Sequence, residues 1–486
     1  PSDIGVSGAT PVIDSPPHSS RLTKCTRGSA RSPSTTQAGG RFATPSGGTI
    51  KRTITTITVI ALAASLAACG EPTVESEPAE AAAPEAAPES TAAPTTEAPA
   101  APPSTPTDGN ADNAELIAAI ETAITDFSAS TGTPGATVAV LMPDGDGLVQ
   151  VTAAAGLSDI TSGDDADPSD HYRWGSITKP MTSTLILQLV EDGLVDLDEP
   201  VATYLGDDWA TGYTLDGTDY APLLTIRQIL NHTDGFAEYA FDVGFFAQAA
   251  QRMETAFEPE EIVAWGIGRG PQYTPGDGYA YNTVGHVVAG LVIEAVTGRE
   301  AHEVMRERLF DPVDADDAYL TPAEFPPNND VAGYARAELK TAFDVLPGLA
   351  DYREAATVGD FFDVTVPPEA VVRSAGWTGG GLEAQSDDVA RAFRLMFTGA
   401  LSDDSVAEFT TPFRDTGYGL GISVGEHAGN TTFSHGGGVP GFRSDAVYLP
   451  DLDVTVVVSA NLIPISPDIS TLSGTILDLV LARVDG

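Results

Sequence analysis

The chain has 486 residues, with 69 Asp and Glu against 24 Lys and Arg, for a net charge of −45. A field of that sign excludes nucleic acid and anionic lipid headgroups as binding surfaces, since both would be repelled. The two cysteines, Cys25 and Cys69, lie upstream of the part that can fold, so a hydrophobic core and not a disulfide must stabilise that part.

In chain order, residues 1–49 are rich in Ser, Thr, Gly and Pro without apolar periodicity. They read either as a disordered leader or as sequence ahead of the true start site. Residues 50–69 have the layout of a secretory signal: Lys51 and Arg52, an apolar run over 54–66 too short for a membrane span, and small residues up to a cysteine. The ending Leu66-Ala67-Ala68-Cys69 resembles the bacterial lipobox, which implies a diacylated Cys69 as the mature N-terminus. Residues 70–112 are dominated by Ala, Pro, Glu and Thr and cannot bury enough apolar surface to fold, so an extended, self-repelling tether is expected. Together the two segments predict a soluble domain over 113–486 held outside the bacterial cell membrane by a lipid anchor.

That domain opens with Leu116, Ile117, Ile120, Ile124 and Phe127 at helical spacing, which predicts a helix over 113–128. Apolar runs over 136–142 and 148–154 flank Pro143-Asp144-Gly145-Asp146-Gly147 and read as a hairpin. Near the other end, 445–449 and 454–460 flank Pro450-Asp451-Leu452-Asp453, and a closing helix is expected over 467–483. The middle reads mainly helical, with segments at 225–230, 258–267, 283–297 and 387–397, whereas the proline-rich stretch 321–373 is unassigned. The fold class is α/β in the α+β sense: an antiparallel sheet built from both termini, helices on its faces and a mainly helical inserted region.

The chemistry concentrates at Trp174-Gly175-Ser176-Ile177-Thr178-Lys179-Pro180. From residue 113 onward 17 basic residues face 58 acidic ones, and only two are lysines, Lys179 and Lys340. If a helix starts near Ser176, Lys179 lies one turn on and its amine can approach the serine hydroxyl. The helix N-terminus favours an alkoxide there, and burial would lower the lysine pKa enough for it to accept a proton. Pro180 is tolerated only in a first turn, and Met181, Leu185, Ile186, Leu189 and Val190 supply an apolar helix behind it.

Here the chain resembles the serine β-lactamase and penicillin-binding protein superfamily, in particular the class C-like branch that includes D-alanyl-D-alanine carboxypeptidases and β-lactamase-fold esterases. The resemblance runs through most of 113–486 and includes the stretches 189–193, 197–200 and 225–235, which read as scaffold, His232 included. The Tyr-x-Asn motif of that superfamily matches Tyr281-Asn282-Thr283, flanked by Pro275-Gly276 and Gly290. The resemblance implies that Tyr281 shares proton transfer with Lys179, while Thr283 stands where an asparagine usually orients a substrate amide. The Lys/His-x-Gly strand matches His435-Gly436-Gly437-Gly438, with His435 in the cationic position. Glycines such as Gly437 let a substrate backbone lie against such a strand, and the resemblance implies that the amides of Gly438 and Ser176 pair as an oxyanion hole. Arg443 either binds a substrate carboxylate or pairs with an acidic side chain.

No His-Glu-x-x-His, Cys-x-x-Cys or phosphate-binding glycine motif is present, so neither metal nor cofactor is expected. The expected activity is that of a lipid-anchored serine hydrolase working through an acyl-enzyme. A peptidoglycan D-alanyl-D-alanine peptide, a small-molecule β-lactam and a carboxylic ester remain open as substrates. The alternative is a non-catalytic lipoprotein of the same fold that binds cell-wall peptides or serves as a scaffold.

Overall fold

In the computed structural model, which describes residues 106–484 apart from 111–112, 146, 241, 328–330, 337–351 and 353, the two apolar ends of the domain meet in one sheet. The leader, the signal-like segment with Cys69 and nearly all of the expected tether lie outside the described residues, as does Lys340. The elements that position the site are, in chain order, α1 (Ala114–Thr131), β1 (Gly135–Asp144), β2 (Gly147–Asp159), β3 (Tyr172–Gly175), α2 (Thr178–Glu191), α3 (Val284–Thr297), β4 (Ala318–Leu320), β5 (Leu382–Ala384), α4 (Ser386–Thr398), β6 (Ser423–His427), β7 (Asn430–Val439), β8 (Phe442–Leu449), β9 (Val454–Ala460) and α5 (Ser470–Val484).

The main sheet runs β2–β1–β9–β8–β7–β6 with antiparallel neighbours, so the first strand after α1 pairs with the last strand, β9. Val140 stands opposite Val456 and Val138 opposite Val458. Successive residues of a strand face opposite sides, and both sides are covered here. Val138, Val140, Val456 and Val458 pack with Ile120 and Ile124 of α1 and Ile476 and Val480 of α5. Ala139, Leu141 and Val457 pack on the other side with Phe393 and Met396 of α4. Covering both faces explains why these strands read as unbroken apolar runs and not as alternation. The β1–β2 turn closes tightly, with Asp144 paired to Gly147 and Gly145 at φ 59°, in the left-handed region that the turns of short hairpins demand.

Two features lay beyond the sequence. Thr107–Asp108 pairs in parallel with Val149 and Gln150, so ordered pairing begins inside the expected tether. Backbone pairing leaves no mark in composition. Within 321–373, Tyr334–Arg336 pairs with Phe361–Asp363, and a helix over Ala370–Gly376 begins there and runs just past its end. Tyr334 anchors this region, because its hydroxyl donates to Asp159 and accepts from the Ile160 amide.

The inserted region packs on the α4 side. Eleven of the 14 residues of α2 are buried, and the helix lies against α3. A small sheet in the order β3–β5–β4 leads the chain into α2 and sits under β7 and β8, where the Ser444 hydroxyl donates to the Trp174 carbonyl at 2.8 Å. This contact brings the start of α2 to the edge of the main sheet.

Ile124 is fully buried between α1 and the sheet, whereas Glu121 one turn earlier is exposed. Ile124→Ala is expected to destabilise the domain by about 2–5 kcal/mol, and Glu121→Ala to change stability by no more than about 0.5 kcal/mol. Urea denaturation of the two variants beside the parent measures the difference.

Candidate active site

Ser176 falls in the turn between β3 and α2, one residue before the N-cap Ile177, and Pro180 occupies the first turn of the helix. The turn requires Gly175, which has φ 55°. A Cβ on Gly175 would stand 2.8 Å from the Gly438 nitrogen, so the two backbones touch and the Gly438 amide lies beside the serine.

Lys179 is fully buried. Its amine donates to the Ser176 hydroxyl at 2.9 Å, to the Gly379 carbonyl at 2.7 Å and to the Thr283 hydroxyl at 3.2 Å. Burial brings its pKa down to about 7, partly opposed by the charge of Glu238. As a neutral amine it keeps two N–H groups and one lone pair. With Gly379 and Thr283 able to take the two hydrogens, the lone pair is left for the Ser176 hydroxyl.

The Tyr281 phenol faces Ser176 closely enough for the serine hydroxyl to act on its ionisation, and its ring centroid lies 4.9 Å from the Lys179 nitrogen. Burial holds the phenol well above the ordinary tyrosine range, so it stays protonated and can give a proton. The neighbouring Asn282 points away from Ser176. Its amide nitrogen donates to Asp234 at 2.9 and 3.2 Å, and its oxygen accepts the Gly285 N–H at the start of α3. Burial pushes the Asp234 carboxyl up to about 7, although the Phe236 amide and Asn282 both bond to it. Asp234 and Asn282 thereby pin the turn that carries Tyr281.

Thr283, expected to face a substrate amide, lies beside Lys179. As the N-cap residue of α3 it is directed inward, and its hydroxyl accepts from Lys179. It also turns that hydroxyl and its backbone N–H toward the carboxylate of Glu238. Glu238 Oε1 accepts the Ala240 N–H at 2.8 Å, while the buried Oε2 has no donor at full hydrogen-bond geometry. Burial raises the Glu238 pKa and the Lys179 charge opposes the rise. Glu238 carried no signal in the sequence, because one carboxylate among 69 acidic residues does not stand out.

His435 departs from the cationic role its motif position implied. Its Nδ1 lies 2.7 Å from the Gly436 carbonyl, which can only accept, so Nδ1 carries the hydrogen. Nε2 then accepts from the Tyr418 hydroxyl at 2.9 Å, and the Tyr418 oxygen accepts from His232 Nε2 at 3.1 Å. Burial and the Lys179 charge bring the His435 pKa down to about 3, so the ring is neutral. His232, also neutral by burial, packs at a tilt with its ring centroid 4.5 Å from that of Tyr281 and acts as a wall.

Gly437 is required by packing inside the protein, since a Cβ there would stand 2.0 Å from the Trp174 carbonyl oxygen. Of the two alternatives for Arg443, the structure realises the acidic partner. Its Nε donates to Asp468 at 3.0 Å and its Nη1 to the Gly437 carbonyl at 2.9 Å. Among the described residues no group of three or more His, Cys, Asp or Glu side chains is placed to hold a metal ion.

Residues 120–469 match the family model described as Beta-lactamase. Penicillin-binding protein 4 of Amycolatopsis lactamdurans is 27% identical over 341 residues, which cover 68% of this chain and 81% of that protein. A D-aminopeptidase of Cereibacter sphaeroides is 26% identical over 317 residues, or 65% of this chain and 55% of that protein, so the chain spans little more than half of that relative. Among solved structures, a D-stereospecific amidohydrolase from Streptomyces sp. superposes with a TM-score of 0.60 at 26% identity, covering 73% of this chain and 97% of the other. The D-amino acid amidase of Ochrobactrum anthropi SV3 superposes with a TM-score of 0.62 at 21% identity, covering 76% and 99%, a likeness of fold. The matched span contains Ser176, Lys179, Tyr281 and His435 together with the strands and helices that hold them, and the chain belongs to the Beta-lactamase family of serine hydrolases.

Proposed function

We propose that this protein hydrolyses an amide or ester bond through an acyl-enzyme on Ser176, with D-amino-acyl peptides, amides or esters as its substrate class. The observation that carries this reading is the convergence of the Lys179 amine and the Tyr281 phenol on one serine hydroxyl. The D-aminopeptidase and D-stereospecific amidohydrolase among its relatives support the configuration of the acyl group.

In the first half-reaction Lys179 takes the Ser176 proton as the oxygen attacks the carbonyl carbon, and the amides of Ser176 and Gly438 hold the oxyanion. As the tetrahedral species collapses, Tyr281 gives its proton to the departing nitrogen or oxygen and is reprotonated from the Lys179 ammonium. Water then attacks the acyl-enzyme with the same groups in reverse, which returns the proton to Ser176 and frees the acid. Glu238 acts on Lys179 from behind through Thr283 and touches neither the nucleophile nor the oxyanion site.

A fluorophosphonate probe is expected to label the parent protein and not Ser176→Ala. Lys179→Ala is expected to lower kcat/KM for a nitrophenyl ester by about 10²–10⁴. Labelling that survives Ser176→Ala sinks the nucleophile assignment, and failure of both label and ester hydrolysis favours the non-catalytic binding reading.

Because Lys179 must be unprotonated to act, kcat/KM is expected to fall below a pH of about 7, by about tenfold per pH unit. The Glu238 carboxylate favours the ammonium, so Glu238→Gln removes that support, lowers the Lys179 pKa and moves the acid limb to lower pH. Rate profiles of parent and variant between pH 5 and 9 read the shift, and an unmoved limb with a lower plateau would reduce Glu238 to a packing role.

The lipobox-like Leu66-Ala67-Ala68-Cys69 supports attachment outside the membrane through a lipid on Cys69. Radiolabelled palmitate is expected to enter the protein in bacterial cells and to be lost with Cys69→Ser. Incorporation that persists in the variant refutes the anchor.

A further inference from the structure

A cavity of about 430 Å³ opens beside the reacting groups, with Tyr281 and His435 in its wall. That volume suits a small ligand or about one residue of a peptide. Because Tyr281 is the group that protonates the departing atom, space that opens on Tyr281 lies on the leaving-group side of the scissile bond. This step rests on the hydrolase reading above.

The charge of this cavity is specific. Arg443, Asp445, Asp468 and Glu426 line it, one guanidinium among three carboxylates, together with His427, whose Nε2 lies 2.9 Å from Asp478. Arg443 lies close enough to the centre for its charge to act on both Tyr281 and His435. Its guanidinium is nevertheless taken up by Asp468, at 3.0 Å from Nε and 3.3 Å from Nη2, and by the Gly437 carbonyl at 2.9 Å. His435 has both ring nitrogens committed within the protein, to Gly436 and Tyr418. Lys179 gives its hydrogens to Ser176, Thr283 and Gly379. Thus each cationic or potentially cationic side chain placed at the site is already bonded to a protein acceptor or held neutral. A carboxylate entering here would meet three carboxylates, those of Asp445, Asp468 and Glu426, against the single guanidinium of Arg443, which already has Asp468 as its ionic partner, and like charges set against each other are unfavourable.

We propose that this cavity is the leaving-group subsite and that the Arg443–Asp468 pair makes it select substrates whose leaving group is neutral or cationic over those whose leaving group carries a free carboxylate. The scissile bond preferred is then that of an amino-acyl amide, an ester or the interior of a peptide, and the carboxypeptidase-like reading, in which the departing residue bears a carboxylate, gives way to an amidase-, aminopeptidase- or esterase-like one. Specificity comes from Asp468 as much as from Arg443, because it is Asp468 that takes the guanidinium out of use.

The test is a matched series on one D-alanyl donor: D-alanyl-D-alanine, its C-terminal carboxamide, and the D-alanyl amide of 1,2-diaminopropane. The parent is expected to hydrolyse the carboxamide and the amine at least about tenfold better, in kcat/KM, than the free acid. Asp468→Asn keeps an acceptor for the Ser470 N–H, which Asp468 Oδ1 takes at 3.2 Å, while it weakens the hold on Arg443. It is expected to raise the acid-to-carboxamide ratio several-fold. Glu426→Gln, at an exposed position, should move the ratio the same way to a smaller extent and guards against a folding defect in the first variant. A parent that cleaves the free acid as fast as the carboxamide, or a ratio unmoved in both variants, overturns the assignment and leaves the hydrolase reading standing. Probe labelling of Ser176 without turnover of any of the three compounds likewise overturns this assignment alone. Absence of both labelling and turnover brings down the hydrolase reading and this inference together.

Discussion

The site depends on one close backbone contact, that of Trp174 and Gly175 with Gly437 and Gly438. A Cβ on Gly437 would meet the Trp174 oxygen at 2.0 Å and one on Gly175 would meet the Gly438 nitrogen at 2.8 Å, so neither position admits a side chain. Ser444 holds the Trp174 carbonyl from the sheet side, and the Trp174 indole donates to the Ala384 carbonyl at 3.0 Å from the other. Clamped between these partners, β3 delivers Ser176 to a fixed point against β7. Ser176 comes from the inserted helical region and the facing Gly438 amide from the terminal sheet, and this contact is what makes them neighbours.

The second requirement is a lysine kept out of water without a close ionic partner. A buried ammonium is costly unless it is paired and hydrogen-bonded. Lys179 has its hydrogen-bond acceptors in Ser176, Thr283 and Gly379, but its counter-charge, Glu238, stands behind Thr283. Desolvation therefore outweighs attraction and the amine sits near neutrality at about pH 7. A carboxylate in direct contact would hold the lysine charged, and none at all would leave its charged form without a counter-charge. The surrounding imidazoles add no charge of their own, because burial and the Lys179 field keep His232, His286 and His435 neutral.

The parts legible beforehand were those decided by neighbours in the chain. The hairpins, α1, α3, α4 and the closing helix follow from periodicity and turn chemistry, and Ser176 with Lys179 from a three-residue spacing across a helix start. Thr283 was legible as a departure from a motif, but its direction was not, since that follows from its place at the head of α3, facing α2. Glu238 and Asp468 were hidden for a statistical reason. In a chain with 69 acidic residues a functional carboxylate looks like any other until its partners are known.

The sequence by itself carried the α+β architecture in its hydrophobic pattern and turn chemistry, and the likeness of three short motifs to those of a known family singled out Ser176, Lys179 and Tyr281. Only the tertiary structure decided what each charged or polar group is free to do. Histidine at 435 is a cation or a neutral strut according to its burial and its hydrogen bonds to Gly436 and Tyr418. Arginine at 443 is a carboxylate receptor or a filled ion pair according to where Asp468, 25 residues away, comes to rest. Protonation and pairing are set by desolvation and by distances of about 3 Å between segments remote in sequence, which no spacing along the chain records.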